Sequence, residues 1–139
     1  MKVDGRCHCR QITYEAEVEP NAMLICHCTD CQTLTGTAYR AVVTAPAANF
    51  VLRTGVPKTY VKTPESGNRR CHAFCGDCGT PLYACAVDDP QSYTLRIGAI
   101  TQRAAFSRTG KSGGAPLSIG STHFPPCRCL RKDLAVINA

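Results

Sequence analysis

The sequence predicts an all-β domain made of several short antiparallel sheets that zinc ions hold together. Three observations support this fold class. Apolar and polar residues alternate in short segments, Pro and Gly residues separate these segments, and seven of the eleven cysteines fall into three tight clusters. No segment shows the periodicity of a long amphipathic helix, so we expect the 139 residues to form a modest β-rich core that metal reinforces.

The predicted strands follow one another along the chain with turn signals between them. In residues 11–19, apolar and polar side chains alternate until Pro20 ends the pattern, which is typical of a half-buried strand. A short helical turn is predicted over residues 30–35, ending at Gly36. Further short strands are predicted at residues 23–25, 37–43, 50–53, 58–61 and 93–97.

The cysteine clusters divide into one complete and one incomplete zinc site. Zinc takes four ligands when it is structural and keeps one position open when it is catalytic, and seven thiolates divide naturally into four and three. The CxxC motif followed by Gly79 resembles a zinc knuckle that needs a second pair of ligands. In an extended segment Cys7 and Cys9 would point the same way, with His8 opposite. The predicted structural site is therefore Cys7, Cys9, Cys75 and Cys78.

The remaining cluster provides Cys26, Cys28 and Cys31 within six residues. By the same alternation His27 points away, so water or a substrate thiol is expected in the fourth position of this second zinc ion. A fourth protein ligand would argue against catalysis. The residues that could provide one are Cys71, His72, Cys85, His123, Cys127 and Cys129.

Two other classes of protein fit the composition less well. The disulfides of a small secreted domain are disfavoured because no hydrophobic signal segment precedes Cys7, and because the CxC and CxxC spacings favour metal binding. We therefore expect a soluble cytoplasmic protein. A nucleic-acid surface is disfavoured because residues 1–106 carry eleven Lys or Arg against nine Asp or Glu, and most of the +6 charge lies in residues 107–139. No apolar run is long enough to span a membrane.

The order and spacing of the motifs resemble those of the glutathione-dependent formaldehyde-activating enzyme family, also called the centromere protein V family. The resemblance covers roughly residues 5–100. It implies an Mss4-like fold, a structural zinc on the four-cysteine set and a second zinc on the three-cysteine set. The motifs that carry it are Gly5-Arg6-Cys7-His8-Cys9, Ile12-Thr13-Tyr14, Cys26-His27-Cys28-x-x-Cys31, Thr35-Gly36 and Phe74-Cys75-Gly76-Asp77-Cys78-Gly79-Thr80-Pro81-Leu82.

The resemblance also implies an activity, the addition of glutathione to formaldehyde to give S-hydroxymethylglutathione, which is classed as a carbon–sulfur lyase reaction. Cys26, Cys28 and Cys31 would then be the catalytic residues as well as zinc ligands. An open zinc ion lowers the pKa of a bound thiol or water, or polarises a carbonyl. Three thiolates weaken its Lewis acidity, which favours delivery of glutathione as a thiolate over activation of the aldehyde.

Several polar residues have two possible interpretations on the sequence alone. Asp30 and His27 could transfer protons, or they could be a solvated aspartate and a core histidine. Arg40, Arg69 and Arg70 could contact the carboxylates of glutathione, or they could be ordinary surface charges.

Two alternatives to the lyase remain open on the sequence. The chain could be a non-catalytic binding module that zinc stabilises, or a thiol-based redox or metal sensor. What separates them is whether the site of Cys26, Cys28 and Cys31 is open and can be reached by a thiol.

Residues 107–139 form an atypical tail after a zinc-binding domain of residues 1–106. The family continues with tryptophans and a Leu-Pro step, whereas this chain has no tryptophan. If the coding DNA is read from the third base of the Lys111 codon, allowed codons up to Cys127 can spell Ile-Trp-Trp-Arg-Ser-Ala-Val-Asp-Trp-Leu-Asp-Ser-Leu-Pro-Ala-Met, which is similar to the family. We therefore predict a change of reading frame near residues 106–111, and a tail rich in loops or disorder.

Overall fold

The computed structural model describes residues 1–63 and 67–106 of the chain. These residues form β-strands and one short α-helix, with 3-10 turns at Pro20–Ala22, Ala47–Asn49, Ile97–Ala99 and Arg103–Ala105. No helix in this part of the chain is long and apolar enough to cross a membrane. The elements are β1 Lys2–Arg6, β2 Thr13–Glu17, β3 Leu24–Cys26, α1 Thr29–Thr35, β4 Arg40–Pro46, β5 Phe50–Thr54, β6 Lys58–Lys62, β7 Arg70–Phe74, β8 Pro81–Ala86 and β9 Ser92–Arg96.

The strands form two antiparallel sheets. The smaller sheet has the order β1-β2-β5, and the larger has the order β3-β4-β9-β8-β7-β6. Strand β9 lies in the middle of the larger sheet because it pairs with β4 on one side and β8 on the other. The all-β, Mss4-like fold predicted from the sequence is confirmed.

An aromatic cluster fills the space between the two sheets. The ring centroid of Tyr14 lies 5.4 Å from that of Phe50, which is also in the smaller sheet, and 6.4 Å from that of Tyr83 in the larger sheet. Phe50 also stacks on Tyr93, with ring centroids 4.1 Å apart. Burying these rings together with the aliphatic side chains around them is the main stabilising contribution to a domain of this size. The fully buried aliphatic members include Val3, Val43, Leu82, Leu95 and Ile100.

The larger sheet has a second face, and the candidate site lies on it. Along β4 and β9, Val43 and Leu95 point into the core, so alternate residues point to the opposite face. Those residues include Arg40 and Arg96, both of which are buried although they are charged. Helix α1 lies beside this face and ends at Gly36, whose φ of 65° is left-handed and whose N–H donates to the Gln32 carbonyl.

The strand boundaries differ from the sequence prediction in informative ways. Each predicted strand is present, with its ends shifted by no more than three residues, and the helix is one residue longer than the predicted helical turn. Strands Lys2–Arg6, Arg70–Phe74 and Pro81–Ala86 were not predicted. In the last of these, four consecutive residues are buried, so the alternation that identifies a half-buried strand is lacking. The predicted tail lies outside the described residues, and the division at residue 106 stays a prediction.

Candidate functional site

Four cysteine sulfurs meet at one end of the molecule, where β1 and β7 finish. The Sγ atoms of Cys7, Cys9, Cys75 and Cys78 all lie within 4.8 Å of one another. The Cys7 and Cys9 sulfurs are 3.3 Å apart, and those of Cys9 and Cys75 are 3.6 Å apart. Four sulfurs around a tetrahedral zinc with bonds of about 2.3 Å would be roughly 3.8 Å apart. The donor set and its spacing therefore fit a structural zinc ion.

The first pair of ligands lies in a tight turn. The Cys7 N–H donates to the Ile12 carbonyl at 3.0 Å, and the Arg10 N–H donates to the Cys7 carbonyl at 3.1 Å. Arg10 adopts a left-handed φ of 67° directly after Cys9. The two sulfurs lie together as predicted, but the predicted reason, an extended segment with both side chains on one side, is wrong. The chain brings the two sulfurs together by turning, because a hairpin closed by Ile12 follows β1.

The second pair of ligands lies in a turn of the same design. The Cys75 N–H donates to the Thr80 carbonyl at 3.0 Å, and the Gly79 N–H donates to the Cys75 carbonyl at 2.9 Å. Gly79 has a φ of 72° directly after Cys78, the position that Arg10 occupies in the first turn. A glycine adopts this conformation without steric cost, which explains the CxxCG spacing.

Hydrogen bonds in and between the two turns favour the thiolate forms of Cys78 and Cys7. The Thr80 hydroxyl lies 3.2 Å from the Cys78 sulfur, and this hydrogen bond is the largest cause that lowers the pKa of Cys78 to about 5. The same hydroxyl oxygen accepts from the His8 N–H at 3.0 Å, which links the turns to each other. The Ile12 N–H points at the Cys7 sulfur at 3.3 Å. Donors of this kind stabilise the anionic sulfurs that a metal requires.

The second cluster lies on the outer face of the larger sheet. The sulfurs of Cys26, Cys28 and Cys31 all lie within 4.8 Å of one another, with Cys26 and Cys28 3.3 Å apart. Cys26 ends β3, Cys28 caps α1 and Cys31 lies in the first turn of that helix. The Cys31 N–H is the main cause that lowers the pKa of Cys28, whereas burial and the neighbouring thiols raise the pKa of Cys31 to about 12. The group can hold a metal ion through three sulfurs.

The structure offers no fourth ligand to this cluster within the described residues. His72 faces the same space, but neither of its ring nitrogens belongs to the group of ligand atoms. Cys71 and Cys85 face each other across β7 and β8 on the core side of the sheet, so they point away from the cluster. The other predicted candidates, His123, Cys127 and Cys129, lie outside the described residues.

A pocket opens from the three cysteines along the sheet face. It has a volume of about 310 Å³. A second cavity of about 200 Å³ continues from it toward Gly79, the residue that follows Cys78 of the four-cysteine cluster. The two cavities share the residues Leu34, Arg40, His72 and Arg96. Together they form a groove large enough for a small peptide-like thiol.

The groove is lined by cations. Arg40 and Arg96 are only 5% and 9% exposed, and Lys62 and Arg70 lie at the rim. Burial, followed by the charge of Arg40, lowers the pKa of Arg96 to about 10. An Nη of Arg96 lies 3.2 Å from His72 Nδ1. Since a guanidinium only donates, His72 must accept at Nδ1 and carry its proton on Nε2.

The structure separates the polar residues that the sequence left with two readings. Arg40 and Arg70 line the groove, whereas Arg69 pairs with Asp88 at 3.2 Å beside a different cavity. Asp30 lines the groove and forms an ion pair with Lys62. His27 is exposed, and its ring centroid lies 6.0 Å from that of Tyr39.

Sequence reasoning missed Arg96 and Lys62. The only signal for Arg96 was a charge inside a strand pattern, on the side opposite the apolar residues Tyr93, Leu95 and Ile97. Such a position normally faces solvent, so the pattern by itself does not identify it as part of a site.

Comparisons with known proteins agree with this geometry. A family model described as glutathione-dependent formaldehyde-activating enzyme matches residues 2–111. A crystal structure of a Rhodobacter sphaeroides protein, determined as a structural genomics target, superimposes with a TM-score of 0.56 at 19% sequence identity, covering 69% of this chain and 85% of that one. At this identity the likeness shows a shared fold. No protein with curated annotation matches the chain significantly.

Proposed function

The chain belongs to the glutathione-dependent formaldehyde-activating enzyme family, and from this membership we propose that it is a zinc-dependent carbon–sulfur lyase. In the proposed reaction a small thiol such as glutathione adds to an aldehyde such as formaldehyde. The S–H bond breaks, a C–S bond forms to the carbonyl carbon, and the carbonyl oxygen becomes a hydroxyl that carries the proton. The π bond of the carbonyl group breaks in this step, the product is a hemithioacetal, which for formaldehyde is an S-hydroxymethyl thiol adduct, and no oxidant or reductant is needed.

The observation that carries the proposal is the open geometry of the second cluster. Cys26, Cys28 and Cys31 leave a tetrahedral position without a ligand from the described residues, and they face the part of the groove that has a volume of about 310 Å³. A zinc ion held by these three sulfurs would lower the pKa of a thiol that entered the open position. We therefore assign Cys26, Cys28 and Cys31 as both zinc ligands and catalytic residues.

The other residues of the groove would orient the reactants. The wall of Arg40, Arg96 and Arg70 attracts an anionic thiol, and Leu34 and Val42 exclude water from part of the space. We assign to neutral His72 the role of hydrogen-bond donor to the aldehyde oxygen, because its proton is on Nε2 and its ring lines the groove. Asp30 keeps Lys62 at the rim and is not assigned a proton-transfer role.

The proposal is tested by zinc content and reaction rate in matched cysteine variants. Wild-type protein should bind two zinc ions and accelerate the exchange between free formaldehyde and its glutathione adduct, measured by NMR with ¹³C-labelled formaldehyde. The Cys28→Ser variant should keep about one zinc ion and lose the acceleration at least a hundredfold, because one ligand of the open site is gone. Cys71→Ser changes a half-buried cysteine outside both clusters and is the control, expected to keep two zinc ions and the wild-type rate.

A different result would favour the alternative function. If wild type binds two zinc ions and does not change the exchange rate, the chain is a non-catalytic binding module that zinc stabilises. If Cys28→Ser retains two zinc ions, the assignment of the open site is wrong.

The compartment and the extent of the domain are also proposals. A reducing compartment such as the cytoplasm fits the proposal, because the seven clustered cysteines must stay reduced in order to bind zinc. The family match ends at residue 111, within the window in which the sequence predicts a change of reading frame. Sequencing the coding DNA tests this, since codons incompatible with the alternative frame would refute it.

A further inference from the structure

Two buried arginines, Arg40 and Arg96, line the groove together, and no acidic residue in the described part of the chain pairs with either of them. Arg40 begins β4 and Arg96 ends β9, and the two strands pair so that Val42 lies opposite Arg96. Both arginines line both parts of the groove. Two guanidinium groups buried next to each other repel, and each has lost most of its hydration, so this arrangement is unfavourable unless an anion compensates it.

The neighbouring side chains do not supply that anion. In the described residues the ion pairs join Arg53 to Glu15, Lys62 to Asp30 and Arg69 to Asp88, so none involves Arg40 or Arg96. The polar neighbour of Arg96 is His72, which is uncharged when it accepts this hydrogen bond. The Nε atom of Arg40 is buried and has no hydrogen-bond partner in this part of the chain.

The cysteine cluster accounts for only part of the charge. Three thiolates that hold a divalent ion carry one net negative charge, which can compensate one arginine. The groove wall carries the positive charges of Arg40, Arg96, Arg70 and Lys62, and among residues 1–63 and 67–106 an acidic partner is present for Lys62 alone. With the metal bound, the groove is therefore still left with excess positive charge, concentrated where the two arginines are buried.

We propose that Arg40 and Arg96 form a carboxylate subsite, and that the lyase acts on a substrate that carries its carboxylate there and its reacting group toward Cys31. A guanidinium presents paired N–H donors whose spacing matches the two oxygens of a carboxylate. The carboxylate can belong to the thiol, as in a short peptide thiol, or to the aldehyde, as in a 2-oxo acid. The inference rests on the proposed function, since it specifies the substrate of the same groove.

Binding measurements test the subsite without requiring turnover. Zinc-loaded full-length protein is titrated by calorimetry with S-methylglutathione, which has carboxylates and no free thiol, and with glyoxylate. Their counterparts without a carboxylate, S-methylglutathione dimethyl ester and glycolaldehyde, are titrated in parallel. Wild type should bind at least one acid roughly ten- to a hundredfold more tightly than its counterpart, the range expected for charge-assisted hydrogen bonds in a buried site.

Variants of the two arginines then locate the contact. Arg40→Met and Arg96→Met should each weaken binding of that acid at least tenfold and should not weaken binding of its counterpart without a carboxylate. Arg96→Lys keeps the charge but loses the paired donors, so its loss should be smaller than that of Arg96→Met, and it provides the test if a methionine variant fails to fold. The control is Arg69→Met, which removes an arginine that faces a different cavity and should bind like wild type.

The outcomes separate the subsite from the reaction. Dependence on the arginines for S-methylglutathione places the carboxylate on the thiol, and dependence for glyoxylate places it on the aldehyde. Binding that depends on the arginines in a protein that does not accelerate the reaction would leave the subsite intact and refute the lyase. Acid binding within twofold of wild type in Arg40→Met or Arg96→Met, or in Arg96→Lys where a methionine variant does not fold, would overturn the subsite, as would the lack of any preference of wild type for either acid.

Discussion

Replacing Gly5 with alanine should destabilise the protein strongly, and the structure gives the magnitude. A Cβ atom at Gly5 would lie 1.9 Å from Cζ of the Tyr14 ring, which is its partner across β1 and β2. Ordinary carbon contacts begin near 3.4 Å, so the ring would have to move by about 1.5 Å. Tyr14 is 1% exposed and packs against Phe50 and Tyr83, so no space is available for that movement.

Forced overpacking of a core costs about 1–3 kcal/mol, and the absence of any free space here favours the upper end. For a domain of this size, a loss of about 3 kcal/mol lowers the melting temperature by roughly 10–14 °C. The measurement is thermal unfolding of zinc-loaded protein by circular dichroism. Gly98→Ala is the matched control, because a Cβ there meets nothing within 4 Å, and it should melt within about 2 °C of wild type.

A second substitution checks the cause. Tyr14→Leu shortens the side chain that the new methyl group would strike, so Gly5→Ala should cost less in the Tyr14→Leu background than in wild type. If Gly5→Ala melts within 2 °C of wild type, or costs equally in both backgrounds, the steric reasoning is refuted.

Two further predictions follow from the cysteine clusters and from His72. Cys75→Ser should remove the structural zinc and abolish cooperative unfolding, whereas Cys28→Ser should keep a cooperative transition. Calorimetry combined with zinc analysis distinguishes the two variants. Equal effects of the two substitutions would contradict the division into a structural and an open site. Burial, followed by the charges of Arg96 and Arg40, lowers the pKa of His72 to about 4, against about 6.5 in an unfolded chain. Between these pH values His72 binds a proton in the unfolded state and not in the folded state. His72 should therefore lower the free energy of unfolding progressively as the pH falls from about 6.5 to 4. The His72→Gln variant should show a flatter dependence of stability on pH over this range, measured by urea unfolding. An unchanged slope would show that His72 is not held neutral.

The features that the sequence predicted well depend on neighbours in the chain. The cysteine clusters were recognisable because two ligands of one metal ion within a few residues require a tight turn, and the alternation of apolar residues before Pro20 identifies β2 without any knowledge of its partners. Gly36 ends the helix where a left-handed residue was expected. In each case the physical cause acts over a few residues and is visible in their order.

The features that could not be predicted depend on distant pairing. Arg96 becomes part of the groove because β9 pairs with β4, which brings it beside Arg40, and because α1 and Lys62 lie over the same sheet face. Nothing within the strand 93–97 indicates that its polar side is covered. The turn at Cys7 was also misjudged, since the extended preference of β1 ends before Cys7 and the hairpin closes through Ile12.

The similarity of the two cysteine turns has a consequence for the order of folding. Each turn can form alone, because its hydrogen bonds join residues no more than five apart, and each then offers two sulfurs to an ion. The two turns are separated by 66 residues, as measured from Cys9 to Cys75. Joining them closes a long loop, a step that on chain entropy alone opposes folding by about 4 kcal/mol. A metal ion captured first by one turn would recruit the other, so the speed at which the two sheets come together should follow the concentration of free zinc in the cell.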